Sequence, residues 1–276
     1  MYDFCRNCRK NLRLFIFSLF FYGIIQIFIF GLRGIYMRKE KIKGALPKSL
    51  YYIALLSFIL PIGYLVFRII TLKEPEISAG LHSRADYVLM LLECILGIFV
   101  IHIPSIISRQ FKFEIPGLLY GLYILFLYCA IFLGEVRSFY YLVPHWDDFL
   151  HLFSSMMTGF FAVMVITILN RDENLVFRLS PFFVSLFAFA FSITIGALWE
   201  LYEYAGDGLF GLNMQKFITA NGEILSGHDA LTDTMQDIAV DMFGALISSV
   251  TGGISVKYSK RWLIPTLKKE DISSKS

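Results

Sequence analysis

The sequence predicts an all-α protein: a polytopic transmembrane helical bundle of six or seven spanning helices. Three observations carry that prediction. Of 276 residues, 57% are hydrophobic and only 17% are charged, against roughly 25% charged in soluble domains. The apolar residues come in blocks rather than evenly, and each block reaches the roughly 20 residues that a helix needs to cross a bilayer. Strict alternation of a barrel strand is missing, so helix is the way these segments satisfy their own backbone in lipid.

Seven blocks follow in order, at about 14–32, 50–70, 86–107, 116–134, 148–169, 181–204 and 235–256. The first follows Arg6, Arg9, Lys10 and Arg13, as a signal peptide would. Its apolar run is too long for an ordinary h-region and no A-x-A site follows, so it is expected to be retained. The whole chain, 1–276, reads as a single transmembrane domain. Residues 1–49 form a basic region with the first apolar helix, 50–256 the helical core, and 257–276 a basic tail.

Orientation follows from Lys and Arg. If all seven blocks span, Arg6, Arg9, Lys10, Arg13, Arg68, Lys73, Arg84, Arg137 and Lys216 lie on one side, nine in all. Sixteen lie on the other: Arg33, Arg38, Lys39, Lys41, Lys43, Lys48, Arg109, Lys112, Arg171, Arg178 and six from Lys257 onward. The positive-inside rule then places the C-terminus in the cytoplasm. The N-terminal cluster opposes this unless block 14–32 fails to span, which leaves the count at six or seven. The links between blocks 4 and 5 and between blocks 6 and 7 then share the non-cytoplasmic side. The second, about 205–232, is long for a helical connection and rich in glycine, so it is expected to be a covering loop.

Other features are weaker. No phosphate loop or nucleic-acid module is present, so no nucleic-acid partner is expected. Cys94 and Cys129 sit in apolar blocks as packing residues. Cys5 and Cys8 form one C-x-x-C, which cannot complete a four-ligand zinc site. Glu93 lies mid-way in block 3, either as a protonated structural acid or as part of a shared cavity. His102 is expected to be interfacial, and His228 and Asp229 fall in the long loop.

Three segments concentrate polar residues. Pro144 to His151 opens block 5, and in a helix His145, Asp148 and His151 would share a face, with Asp147 four before His151. Trp199 to Tyr204 closes block 6 with Glu200 and Glu203 on one face. Asp233, Asp237 and Asp241 form an i, i+4, i+8 row opening block 7. Asp147 and Asp148 also fit as N-terminal acids favoured by the helix dipole, and Asp233 with Thr234 fits a cap. Neither alternative accounts for Asp241, two turns inside its helix, or for Glu200 and Glu203.

An ionised acid at the centre of a membrane helix costs about 2.5–3.5 kcal/mol on insertion scales. Clustering around a cation or sharing protons removes much of that cost. Asp148, His151, Glu200, Glu203, Asp237 and Asp241 are therefore expected to line one shallow cavity on the non-cytoplasmic side. His145, Asp148, His151, Asp237 and Asp241 are the expected metal ligands, for a divalent Mn, Zn, Mg or Fe. Glu200 and Glu203 are the expected catalytic carboxylates, placed to act as general base. Such a centre would act on a lipid or lipid-linked envelope substrate. The alternative is an ion- or proton-coupled transporter, which also uses membrane-embedded acids. Against transport stand the lack of a clear internal repeat and the one-sided placement of the acids.

The motifs H-W-D-D-F-L-H (His145 to His151), A-L-W-E-L-Y-E-Y (Ala197 to Tyr204), G-x-N-M-Q (Gly211 to Gln215) and L-T-D-T-M-Q-D-I-A-V-D-M-F-G-A (Leu231 to Ala245) resemble the YjdF-like family of bacterial inner-membrane proteins. That resemblance covers roughly 50–256. A looser one links Asp148 and His151, and Asp237, Asp241, Gly244 and Ala245, to VanZ-like membrane proteins, with Asp241 where those have Asn. The resemblance implies a multi-pass protein of the bacterial cell membrane and supplies no established activity.

Overall fold

A computed structural model describes residues 46–72, 84–110, 115, 117–170, 179–219 and 222–258. Block 14–32, the Cys5–Cys8 pair and the basic tail beyond Tyr258 lie outside the described residues.

The helices are α1 (Leu46–Thr71), α2 (Arg84–Val100), α3 (Ile103–Gln110), α4 (Gly117–Leu127), a π-helix (Tyr128–Val136), α5 (Phe139–Leu142), α6 (Trp146–Leu169), α7 (Pro181–Phe210) and α8 (His228–Lys257). Among the described residues, six helical stretches are long and apolar enough to span a bilayer: Lys48–Thr71, Arg84–Gln110, Gly117–Val136, Trp146–Leu169, Pro181–Phe210 and His228–Lys257. They coincide with the last six apolar blocks. Large apolar side chains such as Leu60, Ile70 and Phe182 face outward, as they must where the surroundings are acyl chains.

Local chemistry sets the ends of α7. Ser180 Oγ accepts from the Phe183 N–H at 3.2 Å, and Pro181 supplies the fixed φ of a first helical residue. Gly211, at φ +66°, ends it in the left-handed conformation that glycine adopts without strain. Helix α7 thus runs six residues past block 6, and α8 begins seven before block 7. The covering loop is correspondingly shorter than expected. It spans 211–227, with Gly206 and Gly208 helical and His228 and Asp229 in the first turn of α8. Asp233 lies in the second turn, so it does not cap α8; Gly227 holds that position.

The front of the bundle packs by size. Phe58, Ala54, Ile101 and Ile124 form one apolar cluster, and Leu65, Met90 and Cys94 another. In the back, α6, α7 and α8 pack against one another through small residues. A Cβ on Gly159 would collide with Ser248, one on Gly244 with Ser155, and one on Gly196 with Asp241. Close approach through Gly196 and Gly244 matches the small surfaces expected from the sequence. Hydroxyls fill the centre: Ser192 Oγ donates to the Ser155 carbonyl at 2.6 Å and lies 2.9 Å from Thr158 Oγ1.

Candidate metal centre

Helix α6 starts at Trp146, not earlier, because His145 sits at φ +59° outside the helix. That phase decides which acid turns inward. Asp147, one turn before His151, lies on the interior side, and Asp148 on the flank towards α8. His151 is buried between α7 and α8 and is the hub of the cluster.

His151 Nε2 faces three carboxylates: Glu200 Oε1 at 3.6 Å, Asp147 Oδ1 at 3.7 Å and Asp237 Oδ1 at 4.0 Å. All three are too long for hydrogen bonds. Ligand bonds of about 2.0–2.2 Å would hold neighbouring donor atoms at somewhat shorter spacing, so a small contraction would seat an ion. Asp147, His151 and Asp237 each offer a donor atom within 4.8 Å of the others. Asp241 has a different place. Its Oδ2 lies 3.3 Å from His151 Nδ1, on the far side of the ring. A carboxylate there fixes the ring and leaves Nε2 for a ligand, the arrangement common behind metal-bound histidines. Of the buried side-chain polar atoms among the described residues, Glu200 Oε1, Asp241 Oδ1 and Trp146 Nε1 have no hydrogen-bond partner. Glu200 Oε1 is thus aimed at the hub and unsatisfied. Thr234 hydrogen-bonds the Glu200 carboxylate and receives a 2.9 Å bond from Gln215 of the loop.

Of the expected ligands, the structure brings His151, Asp237 and Asp241 together with Glu200, and Glu203 is buried one turn further along α7. His145 and Asp148 stand apart. The His145 side chain is 80% exposed and its Nδ1 lies 2.7 Å from Asp148 Oδ2. Asp148 Oδ1 accepts from Gln236 Nε2 at 2.7 Å. The expected five-ligand set is therefore divided: the left-handed His145 swings its ring outward, and Asp147 takes the inner place. Asp147's spacing to His151 was the available signal, although a helix-dipole role explained it equally well.

A buried ion pair had no local signal. Lys216, in the loop, donates from Nζ to Glu135 Oε1 at 2.8 Å and sits over the rings of Tyr140 and Tyr141 at 4.5 and 5.3 Å. Burial opposes its charge, but Glu135 outweighs that and holds the ammonium above the usual lysine range. Burial, then Asp147 and Glu135, push the Tyr140 phenol upward. Glu93 and Asp147 both lie within the field of this pair. The loop is further fixed by Asp207, which accepts from the Met214 and Gln215 N–H groups at 2.6 and 3.0 Å, and by Asn213, which donates to Tyr141 Oη at 3.0 Å.

A family model described as "Predicted membrane protein (DUF2238)" matches residues 70–258, more than half of the chain. The chain belongs to that family. The DUF2238 match takes in all the residues of the cluster and its loop. A protein of Thermotoga maritima, described only as uncharacterized, is 30% identical over 113 residues, 41% of this chain. The match covers half of that relative's length. No solved structure matches the chain.

Proposed function

We propose that this DUF2238 protein is a multi-pass protein of the bacterial cell membrane that binds a divalent metal through Asp147, His151 and Asp237. In this reading it is an enzyme acting on a lipid or lipid-linked envelope substrate at the non-cytoplasmic leaflet. The observation that carries the reading is the hub itself. His151 Nε2 is ringed by three carboxylate oxygens beyond hydrogen-bond length, and one of them, Glu200 Oε1, is buried without a partner. Imidazole and carboxylate donors suit Mn, Zn, Mg or Fe. When bound, such an ion supplies Lewis acidity towards a carbonyl or phosphoryl oxygen. Asp241 orients the His151 ring. Glu200 is placed to take a proton from an attacking water at Oε1, with Thr234 holding its carboxylate and Glu203 behind it. The YjdF-like resemblance fits the same family description and supports the bacterial inner membrane. The VanZ-like resemblance has no further support and carries no part of this reading.

Elemental analysis of the purified full-length protein tests the proposal. Stoichiometric metal in wild type, lost in His151→Ala and Asp237→Asn, is the expected result. Metal-free folded wild type that stays metal-free after dialysis against Mn, Zn, Mg and Fe would overturn it.

One observation favours the second reading, ion- or proton-coupled transport. The ionisable groups do not stop at the hub but continue from Asp147 through Lys216 and Glu135 towards Glu93. Such rows serve as proton relays in membranes. Proton flux in liposomes, abolished by Glu93→Gln with metal content unchanged, would select it over the enzyme.

A further inference from the structure

The residues that the fold excludes from the hub have a place of their own. Between the first two turns of α6 and of α8 lies a groove of about 520 Å³ on the outer surface. Its walls repeat at helical spacing: His145, Asp148 and Leu152 on one side, Gln236, Ala239 and Phe243 on the other. The polar members are at the N-terminal ends of both helices. The apolar members lie about 10 Å deeper at 1.5 Å per residue.

We propose that this groove binds a phospholipid with a hydrogen-bond-donating head group. One acyl chain lies against Leu152 and Phe243, and the head group meets His145, Asp148 and Gln236. Both walls belong to helices that span the bilayer, so what fills the groove comes from the lipid phase and is amphiphilic to match it. The rim is built, not merely polar. Asp148 uses one carboxylate oxygen for His145 Nδ1 and the other for Gln236 Nε2, each at 2.7 Å. That leaves His145 Nε2 pointing outward as donor to a phosphate oxygen and Gln236 Oε1 as acceptor for a head-group amine or hydroxyl. An interhelical tie between residues 88 apart fixes both. His145 is held at φ +59° and caps no backbone N–H of α6 with its side chain, so its ring is free for this contact. The groove also meets the centre. Asp147 and Asp237, the chain neighbours of Asp148 and Gln236, turn to the opposite side of the same seam. A head group on the rim therefore sits one residue away, on each helix, from the proposed metal ligands. That the bound lipid is substrate rests on the metal-enzyme reading; that the groove holds a lipid does not.

Native mass spectrometry of the delipidated full-length protein in detergent tests the groove. The probes are dioleoyl phosphatidylethanolamine, the matching phosphatidylcholine and dioleoylglycerol. Wild type should hold one phosphatidylethanolamine about tenfold more tightly than the other two, a difference of one good polar contact. Ala239→Trp fills the groove and should abolish that preference, and Ala239→Leu should weaken it. Gln236→Leu should bind phosphatidylethanolamine and phosphatidylcholine alike. Leu198→Trp, on the lipid-facing surface of α7, should leave the preference unchanged. Equal retention of all three lipids by wild type, or an undiminished preference in both Ala239 variants, would overturn the proposal. Metal content of the same samples separates the two ideas. Lipid preference in a metal-free protein removes only the enzyme reading; metal without lipid preference removes only the groove.

Discussion

The front and the back of the bundle solve the same packing problem with different side chains. In α1, α2 and α4 the interior is Phe58, Leu65, Met90 and Ile124. In α6, α7 and α8 it passes from Val163, Val184 and Ala188 at one end, through Ser155, Ser192 and Ser248, to His151, Glu200, Asp237 and Asp241 at the other. Between membrane helices the hydrophobic effect offers little, because lipid is as apolar as leucine, so shape and polar contact decide association. The front uses large interlocking shapes and holds no chemistry in its apolar clusters. The back brings backbones close through glycine and serine, and that closeness lets side chains of three helices converge on one imidazole. The difference teaches that the back has to be compact for its acids to be tolerated, whereas the front only has to be filled.

The comparison can be broken by changing each interior in its own terms. His151→Leu should have the largest effect. It leaves Asp147, Asp237, Asp241 and Glu200 without their shared cation, at a cost of about 3–5 kcal/mol, with bound metal lost. Unfolding in detergent read alongside elemental analysis would show it, and unchanged stability would mean the acids neutralise one another without the imidazole. Phe58→Ala should cost about 3 kcal/mol through the cavity it opens, with metal content untouched. Loss of metal in that variant would show that the two regions are not separable.

Smaller changes sharpen the contrast. Gly196→Ala should cost about 1–3 kcal/mol by overpacking against Asp241, and should lower metal affinity because Asp241 orients His151. Gly63→Ala, on α1 with nothing near its added Cβ, should be neutral or stabilising by up to about 1 kcal/mol. Thermal unfolding of the pair gives the answer directly. Lys216→Met should have the smallest and most local effect, roughly 1–2 kcal/mol from an unpaired Glu135, read as faster hydrogen exchange across 211–227. The lysine's proton affinity is raised by folding. Its contribution is therefore complete below the unfolded value near 10.4 and lost only as pH rises through the still higher folded one. Loop protection attributable to Lys216 should accordingly stay flat from pH 6 to about 9, and exchange that accelerates within that range would contradict the assignment.

The six spans were legible because length and apolarity are properties of contiguous residues. The convergence of α6, α7 and α8 was legible as well, since acids deep in apolar helices need partners and three such segments share one end of the bundle. What remained hidden depended on helix phase or on distant pairs. Whether Asp147 or Asp148 faces inward turns on the backbone of His145, a single dihedral that composition does not encode. Lys216 and Glu135 are 81 residues apart, and the block boundary at 134 placed Glu135 outside the helix that carries it. The extra turns of α7 to Phe210 were masked by Gly206 and Gly208, which read as loop residues but cost a helix only about 1 kcal/mol each.

The π-helix Tyr128–Val136 has a consequence for how this chain tolerates change in length. Its wide turns, closed by bonds such as Arg137 N–H to the Phe132 carbonyl at 2.9 Å, accommodate more residues over the same rise than an α-helix does. Deleting one residue from Ile131–Gly134 would let the segment relax to ordinary winding, a gain for the isolated helix. The same deletion would rotate everything after it by about 100° relative to everything before, carrying Glu135 off the face that meets Lys216. The segment therefore stores an insertion, and the position of the covering loop is the register it keeps.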